Sequence, residues 1–186
     1  WEWQRPNLFC TNEDLFTQTI VVPYLIPMLE RAGAVVFTPR ERDWQKQEII
    51  IDNDDAEKLP YYTEINVGHE WRDAEIAGFA FINRITSDGQ NPFKTGTTRM
   101  VKTNETGGSE VSYQPTLSKE GTYAVYVSYP THHKSIPDAQ YIVVHKGRKT
   151  EFRVNQQMGG GTWVYLGTFD FGKGCTSDNR IIVTNK

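Results

Sequence analysis

EGTYAVYVSYP (120–130), AQYIVVHKGRKTEFRVNQQ (139–157) and MGGGTWVYLGTFDF (158–171) are the stretches whose reading decides the fold. Side chains on an extended chain alternate between two faces. Tyr123, Val125, Val127 and Tyr129 therefore point one way, and Ala124, Tyr126 and Ser128 the other. Thr150, Phe152 and Val154 alternate with Glu151, Arg153 and Asn155, the pattern of a strand with one wet face. Trp163, Tyr165, Phe169 and Phe171 read as one set, set against Val164, Leu166 and Asp170. The basic run Lys146-Gly147-Arg148-Lys149 lies between two such strands and reads as a solvated hairpin turn rather than an anion site. Short strands at this spacing, divided by glycine-bearing turns, predict a mainly β domain, a jelly-roll-type β-sandwich.

Outward from this core the texture stays β for most of the chain. Residues 180–184 form a closing strand. Residues 98–102 and 110–113 read as strands around a turn at 104–108, and 77–82 as a strand or extended segment. Residues 83–98, rich in Asn, Asp, Gly, Pro and Thr, read as a long loop. Residues 1–58 differ. Thr11-Asn12-Glu13-Asp14 fits a capping box, and Leu15, Thr19, Val22, Ile26 and Leu29 recur at helical spacing. Gly33 is a natural stop. Pro23 and Pro27 oppose a straight helix, because each removes a backbone donor, so a kink or a split near Val22 is expected. Ala34-Val35-Val36-Phe37 and residues 48–52 read as short strands. The organisation expected is a small α/β segment at 1–58 and a sandwich at 59–186.

The chain has 186 residues, a formal net charge of -3 and a pI near 5.8. That balance provides no broad attraction to nucleic acid or an anionic membrane. The apolar stretch 20–29 is too short to cross a bilayer and is interrupted by Pro23 and Pro27, so no membrane span is expected. The two cysteines, Cys10 and Cys175, are too few for a disulfide scaffold, and they pair only if the chain ends meet. The chain starts at Trp1 without an initiator Met and reads as an excised or processed fragment.

No catalytic constellation stands out. There is no G-x-S-x-G motif, and His69, His132, His133 and His145 lack a metal-binding spacing such as H-E-x-x-H. Adjacent His132 and His133 are expected to point apart on an extended chain. The run Asp52-Asn53-Asp54-Asp55 has the composition of a calcium loop but lacks its glycine and terminal glutamate. It reads as a polar linker, which leaves room for a structural calcium ion in the sandwich. Amphipathic aromatics are the remaining signal: Trp71, Tyr126, Tyr129, Tyr141, Trp163 and Tyr165 offer flat faces on which sugar rings stack. The binding residues expected are Trp71, Tyr129, His132, His133, Tyr141 and Trp163, the two histidines because loops carry ligand contacts. A protein-docking scaffold would use the same aromatics.

The segment from about Trp71 to Asn185 resembles the golvesin/xanthan-lyase carbohydrate-binding-like domain, through EGTYAVYVSYP, YIVVHKGRKTEFRVNQQ, GGGTWVYLGTFDFGKG and IIVTN. The resemblance implies a non-catalytic β-sandwich of secreted, periplasmic or cell-surface bacterial proteins, whose partner is a polysaccharide or peptidoglycan glycan. The segment NEDLFTQTIVVPYLIPMLERAGAVVFTPRERD (12–43) resembles part of a zinc-dependent N-acetylmuramoyl-L-alanine amidase. By that resemblance Glu13 matches a metal-binding Glu, while Thr38-Pro39-Arg40 departs from the simpler Thr-Arg of the family. The family's other ligands find no match in these residues. The zinc ion therefore belongs to a full-length parent, with no cofactor expected in this chain. Together the two resemblances imply a slice of a Bacteroidetes xanthan lyase-like protein, its sandwich inserted into an amidase-like domain.

Overall fold

The computed structural model describes residues 19–36, 47–54, 61–80 and 91–186. It divides into one compact unit of residues 1–48 and 82–91 and a second of 49–81 and 92–186.

In the first unit the described chain is helical. A π-helical turn, Val21–Leu25, runs into an α-helix, α1 (Ile26–Arg31). The two prolines explain the sequence of turns. Pro27 lies at the start of α1, where the π turn passes into the α-helix and the proline contributes no N–H to the ladder. Pro23 falls inside the π turn, which closes with the Ile26 N–H donating to the Val21 carbonyl. A widened turn thus stands where a kink was expected. Gly33 ends the helix as predicted, with φ 88°. Its N–H donates to the Glu30 carbonyl and that of Ala34 to the Leu29 carbonyl, the two bonds of a Schellman stop. Of the predicted apolar face Ile26 is buried and Leu29 is exposed; Leu15 lies outside the described residues. Residues 34–36 form no strand, and Val35 is 81% exposed. Residues 48–52 are irregular as well.

The second unit is mainly β, with antiparallel sheets. The strands are β1 (Tyr62–Ile65), β2 (Arg72–Asp73), β3 (Arg99–Met100), β4 (Glu110–Tyr113), β5 (Gly121–Val127), β6 (Ala139–His145), β7 (Arg148–Val154), β8 (Val164–Phe171) and β9 (Asn179–Thr184). Five of them make a sheet in the order β1-β4-β9-β6-β7; β2 pairs with β3, and β5 with β8. The Lys146-Gly147 turn joins β6 to β7 with both residues at positive φ (47° and 74°), the tight hairpin the sequence predicts. Residues 104–108 do form a turn, with the Gly107 N–H donating to the Asn104 carbonyl. The strands on either side, β3 and β4, pair with different neighbours, so it closes no hairpin.

The β5–β8 ribbon packs its inner face on the five-stranded sheet. Leu117, Val125, Val143 and Phe171 form one buried cluster, flanked by Tyr123, Phe152, Leu166, Phe169 and Ile181. Tyr129, Ala139, Tyr141 and Val154 form another, flanked by Val127, Val164, Leu166 and Val183 among others. The inward set of β5 is the predicted one. That of β8 is not. A bulge sets Val125 opposite Gly167 and Tyr126 opposite Tyr165, leaving Leu166 as the extra residue. The phase of the strand slips there, so Val164 and Leu166 join Phe169 and Phe171 at the core, and Tyr165 is left outside at 42% exposure. Glycine is required at 167: its φ is 155°, and a Cβ would meet the Phe169 ring at 2.7 Å.

Central strand β9 is bracketed by two buried asparagines. Asn179 accepts from the Gly172 N–H (3.1 Å) and donates to the Gly172 carbonyl (2.9 Å). Asn185 accepts from the Ser109 N–H (3.0 Å) and donates to the Lys102 carbonyl (3.1 Å). Each satisfies backbone groups that burial would otherwise strand. Phe171, 2% exposed at the ribbon's end, is the side chain on which the inter-layer contact can be tested. Phe171→Ala is expected to cost about 3–5 kcal/mol, read as a lower denaturation midpoint with an unchanged slope. A loss below about 1 kcal/mol would show that the ribbon does not rely on this contact.

Candidate functional site

Two loops at one end of the sandwich are laced together: 128–138, between β5 and β6, and 155–163, between β7 and β8. The lacing is mostly backbone. The Gly161 N–H donates to the Tyr129 carbonyl (2.8 Å), the Gln156 N–H to the Ile136 carbonyl (3.1 Å) and the His132 N–H to the Gln156 carbonyl (3.3 Å). The Gly160 N–H donates to Thr131 Oγ1 (2.8 Å), and Gln157 Nε2 to the Ser135 carbonyl (2.7 Å). The triple glycine makes this approach feasible: a Cβ on Gly160 would come within 2.4 Å of the Tyr129 carbonyl oxygen.

The sequence-predicted residues distribute unequally over this end. Tyr129 is 9% exposed, and its hydroxyl donates to the Met158 carbonyl at 3.1 Å. Tyr141 is 4% exposed, and its hydroxyl accepts from Gln156 Nε2 at 2.8 Å. Both belong to the inter-layer core, where they support the loops from beneath, so neither ring offers a free face. His132 and His133 do not point apart. Residues 132–135 turn, with the Ser135 N–H donating to the His132 carbonyl, and the two imidazoles stack at 4.6 Å. His132 Nδ1 accepts from the Lys134 N–H (3.2 Å), and His133 is exposed. Trp163 is half-buried in an aromatic trio, with ring centroids 4.6 Å from Phe79 and 5.8 Å from Phe93. Trp71, also half-buried, precedes β2; its backbone N–H is held by Asn66 Oδ1 at 3.0 Å. Glu13 and Cys10 lie outside the described residues, and Cys175 is a free thiol.

The carboxylates of residues 52–54 are tied to a neighbouring loop. Both Asp54 oxygens accept from Thr97, one from its N–H and one from its hydroxyl, and Asp52 Oδ1 caps the Asp54 N–H. Elsewhere Glu64 takes a bidentate pair from Arg99 (2.7 and 2.9 Å) and the Tyr62 hydroxyl at 2.5 Å, which fastens β1 to β3. Among the described residues no group of three or more His, Cys, Asp or Glu could hold a metal ion.

The golvesin C-terminal domain family matches residues 80–186, more than half of the chain. This chain belongs to that family. The golvesin match takes in β3 to β9, and with them both laced loops. A xanthan lyase of Bacillus sp. (strain GL1) is 35% identical over 65 residues, which is 35% of this chain and 7% of that enzyme. The chain thus spans a small fraction of the length of this relative. No solved structure matches this chain. No helix among the described residues is long and apolar enough to cross a membrane.

The residue that periodicity misplaced is Tyr165. Strict alternation puts it on one face with Phe169 and Phe171, and the bulge turns it outward against Tyr126, ring to ring at 5.2 Å. Gly167 in mid-strand was the available signal, since an isolated glycine in a strand marks a bulge or a close approach.

Four tyrosines resist ionisation in the folded domain. Burial raises Tyr62, Tyr113, Tyr129 and Tyr141 above the usual phenol value, because a buried phenolate loses its hydration. Their folded pKa values exceed the unfolded value of about 10, so the stability they contribute is complete below about pH 10 and falls as the pH climbs further. Tyrosinate absorbance during alkaline titration is expected to show Tyr62, Tyr113 and Tyr141 ionising only as the chain unfolds. Their ionisation in the folded state would contradict the burial.

Proposed function

We propose that this golvesin domain is a non-catalytic carbohydrate-binding module of a secreted, periplasmic or surface bacterial protein that acts on polysaccharide or peptidoglycan. One observation carries the reading: the segment shared with the xanthan lyase is 7% of that enzyme's length. A piece that small fits an attached module better than the part of a lyase that performs its chemistry. The architecture supports the same reading. The two loops are held by backbone bonds and by buried tyrosines, a rigid presentation that keeps the entropy cost of capturing a ligand low. Trp71, His132, His133 and Trp163 are the predicted binding residues open to solvent on at least one side, while Tyr129 and Tyr141 hold the scaffold. Affinity electrophoresis through gels containing neutral and acidic polysaccharides, with pull-down on peptidoglycan sacculi, is expected to retard or capture the chain on at least one glycan. Migration unchanged by every glycan, with capture of protein partners instead, would replace this reading with a docking scaffold.

For residues 12–43 we propose a fragment of an amidase-like domain, with Glu13 as one zinc ligand of the complete parent. A protein zinc site takes at least three protein ligands, and Glu13 supplies one. The isolated chain is therefore expected to hold no stoichiometric zinc after dialysis, measured by elemental analysis. One zinc ion per chain would overturn that assignment.

A further inference from the structure

We infer that the free edge of β7 is a self-association surface: two copies of the chain pair β7 with β7, antiparallel and centred on Phe152, and join their five-stranded sheets into one. The inference goes beyond the carbohydrate-binding reading and does not depend on it. β7 is hydrogen-bonded to β6 alone among the described strands. The Lys146-Gly147 turn makes His145 and Arg148 the closing pair of the hairpin. Backbone groups alternate along an antiparallel strand, so Arg148, Thr150, Phe152 and Val154 bond to β6. The N–H and C=O of Lys149, Glu151 and Arg153 then point to the open edge. No hydrogen bond among the described residues uses them. All three residues are exposed, and the strand runs without a proline or a bulge.

The side chains choose both the occupant and the register. Phe152 and Val154 pack on the core, so Glu151 and Arg153 lie on the other face of the sheet, with Lys149. Charges that alternate along an edge complement their own reversed copy wherever the register sets unlike signs opposite each other. Centred on Phe152, Glu151 of each copy stands opposite Arg153 of the other, and Lys149 opposite Asn155. Unlike charges directly across a ladder attract, and each such edge-facing pair exchanges two backbone hydrogen bonds. Within one chain Arg153 Nη2 already meets Glu151 Oε1 at 2.8 Å, so the seam closes a ring of charges of alternating sign. On the core side Phe152 meets its twin and Thr150 meets Val154. The Phe152 ring is partly buried, 6.0 Å from Phe169, so apolar packing continues across the seam. A register centred on Thr150 also joins unlike charges, Lys149 with Glu151, but it sets Arg148 against Phe152. A strand of another protein would need this same spacing of charges, whereas a second copy carries it already. Two-fold pairing through one edge closes on itself and yields a dimer. One strand pair buries less than about 1,000 Å², so the dimer is weak and depends on concentration.

The test is sedimentation velocity of the whole chain under reducing conditions, with Glu151→Arg, Arg153→Glu, an equimolar mixture of those two variants, and Lys149→Glu beside the parent. Over about 1 to 500 µM the parent is expected to pass from monomer to dimer. Glu151→Arg and Arg153→Glu each set like charges across both pairs and are each expected to weaken the dimer by about tenfold or more. In the mixture every unlike pair is restored, so a dimer of one copy of each is expected to return to within about threefold of the parent. A variant that had merely lost its fold would give no such rescue. Lys149→Glu, opposite Asn155, is expected to change dimerisation by less than about threefold. A parent that stays monomeric throughout, a dimer indifferent to both charge reversals, or a mixture that fails to re-form one would overturn the inference. A dimer lost with Lys149→Glu but kept with Arg153→Glu would overturn the register centred on Phe152.

Discussion

A two-stranded ribbon is marginal in water, and β5–β8 is stable only because one of its faces is buried against a larger sheet. That burial is the constraint on which the rest depends. It requires Val125, Leu166, Phe169 and Phe171 to face one way together with Val164 and Val127. Strict alternation along β8 cannot deliver such a set. One extra residue, with a glycine behind it, can. The loops at the ribbon's end then lie over the same core, and Tyr129 and Tyr141 extend it beneath them.

The five-stranded sheet has its own fixed point in β9, which pairs with β4 on one side and β6 on the other. Its neighbours come from distant parts of the chain, so the register must be held at both ends. Asn179 and Asn185, each 1% exposed, do this through bonds to backbone rather than to other side chains. Backbone partners do not depend on which side chains stand nearby. The arrangement tolerates substitution around it and little at the asparagines themselves.

What was legible in the sequence was local. The faces of β5 and β7 and the Lys146-Gly147 turn follow from alternation and turn chemistry, and they appear as expected. Gly33 stops the helix because only a left-handed residue closes that pair of bonds. The phase of β8 was not legible, because a bulge depends on what packs behind the strand. Residues 34–36 look like a strand, with two valines in three positions, yet Val35 is among the most exposed apolar residues. A strand needs a partner edge, and local apolar character does not supply one. For the candidate site, the sequence offered several amphipathic aromatics. It could not separate Tyr141, which closes the core, from Tyr165, which leaves it.

Strand β7 ends the five-stranded sheet, hydrogen-bonded to β6 alone among the described strands. Such an edge invites a second chain to add itself. Here Lys149, Glu151 and Arg153 occupy alternate positions along it, all exposed. Were two copies to meet edge to edge in an antiparallel register centred on Glu151, Lys149 would stand opposite Arg153 and Glu151 opposite its own twin. Like charges placed directly across a ladder repel. Edge-to-edge pairing of two copies in that register is therefore disfavoured by charge.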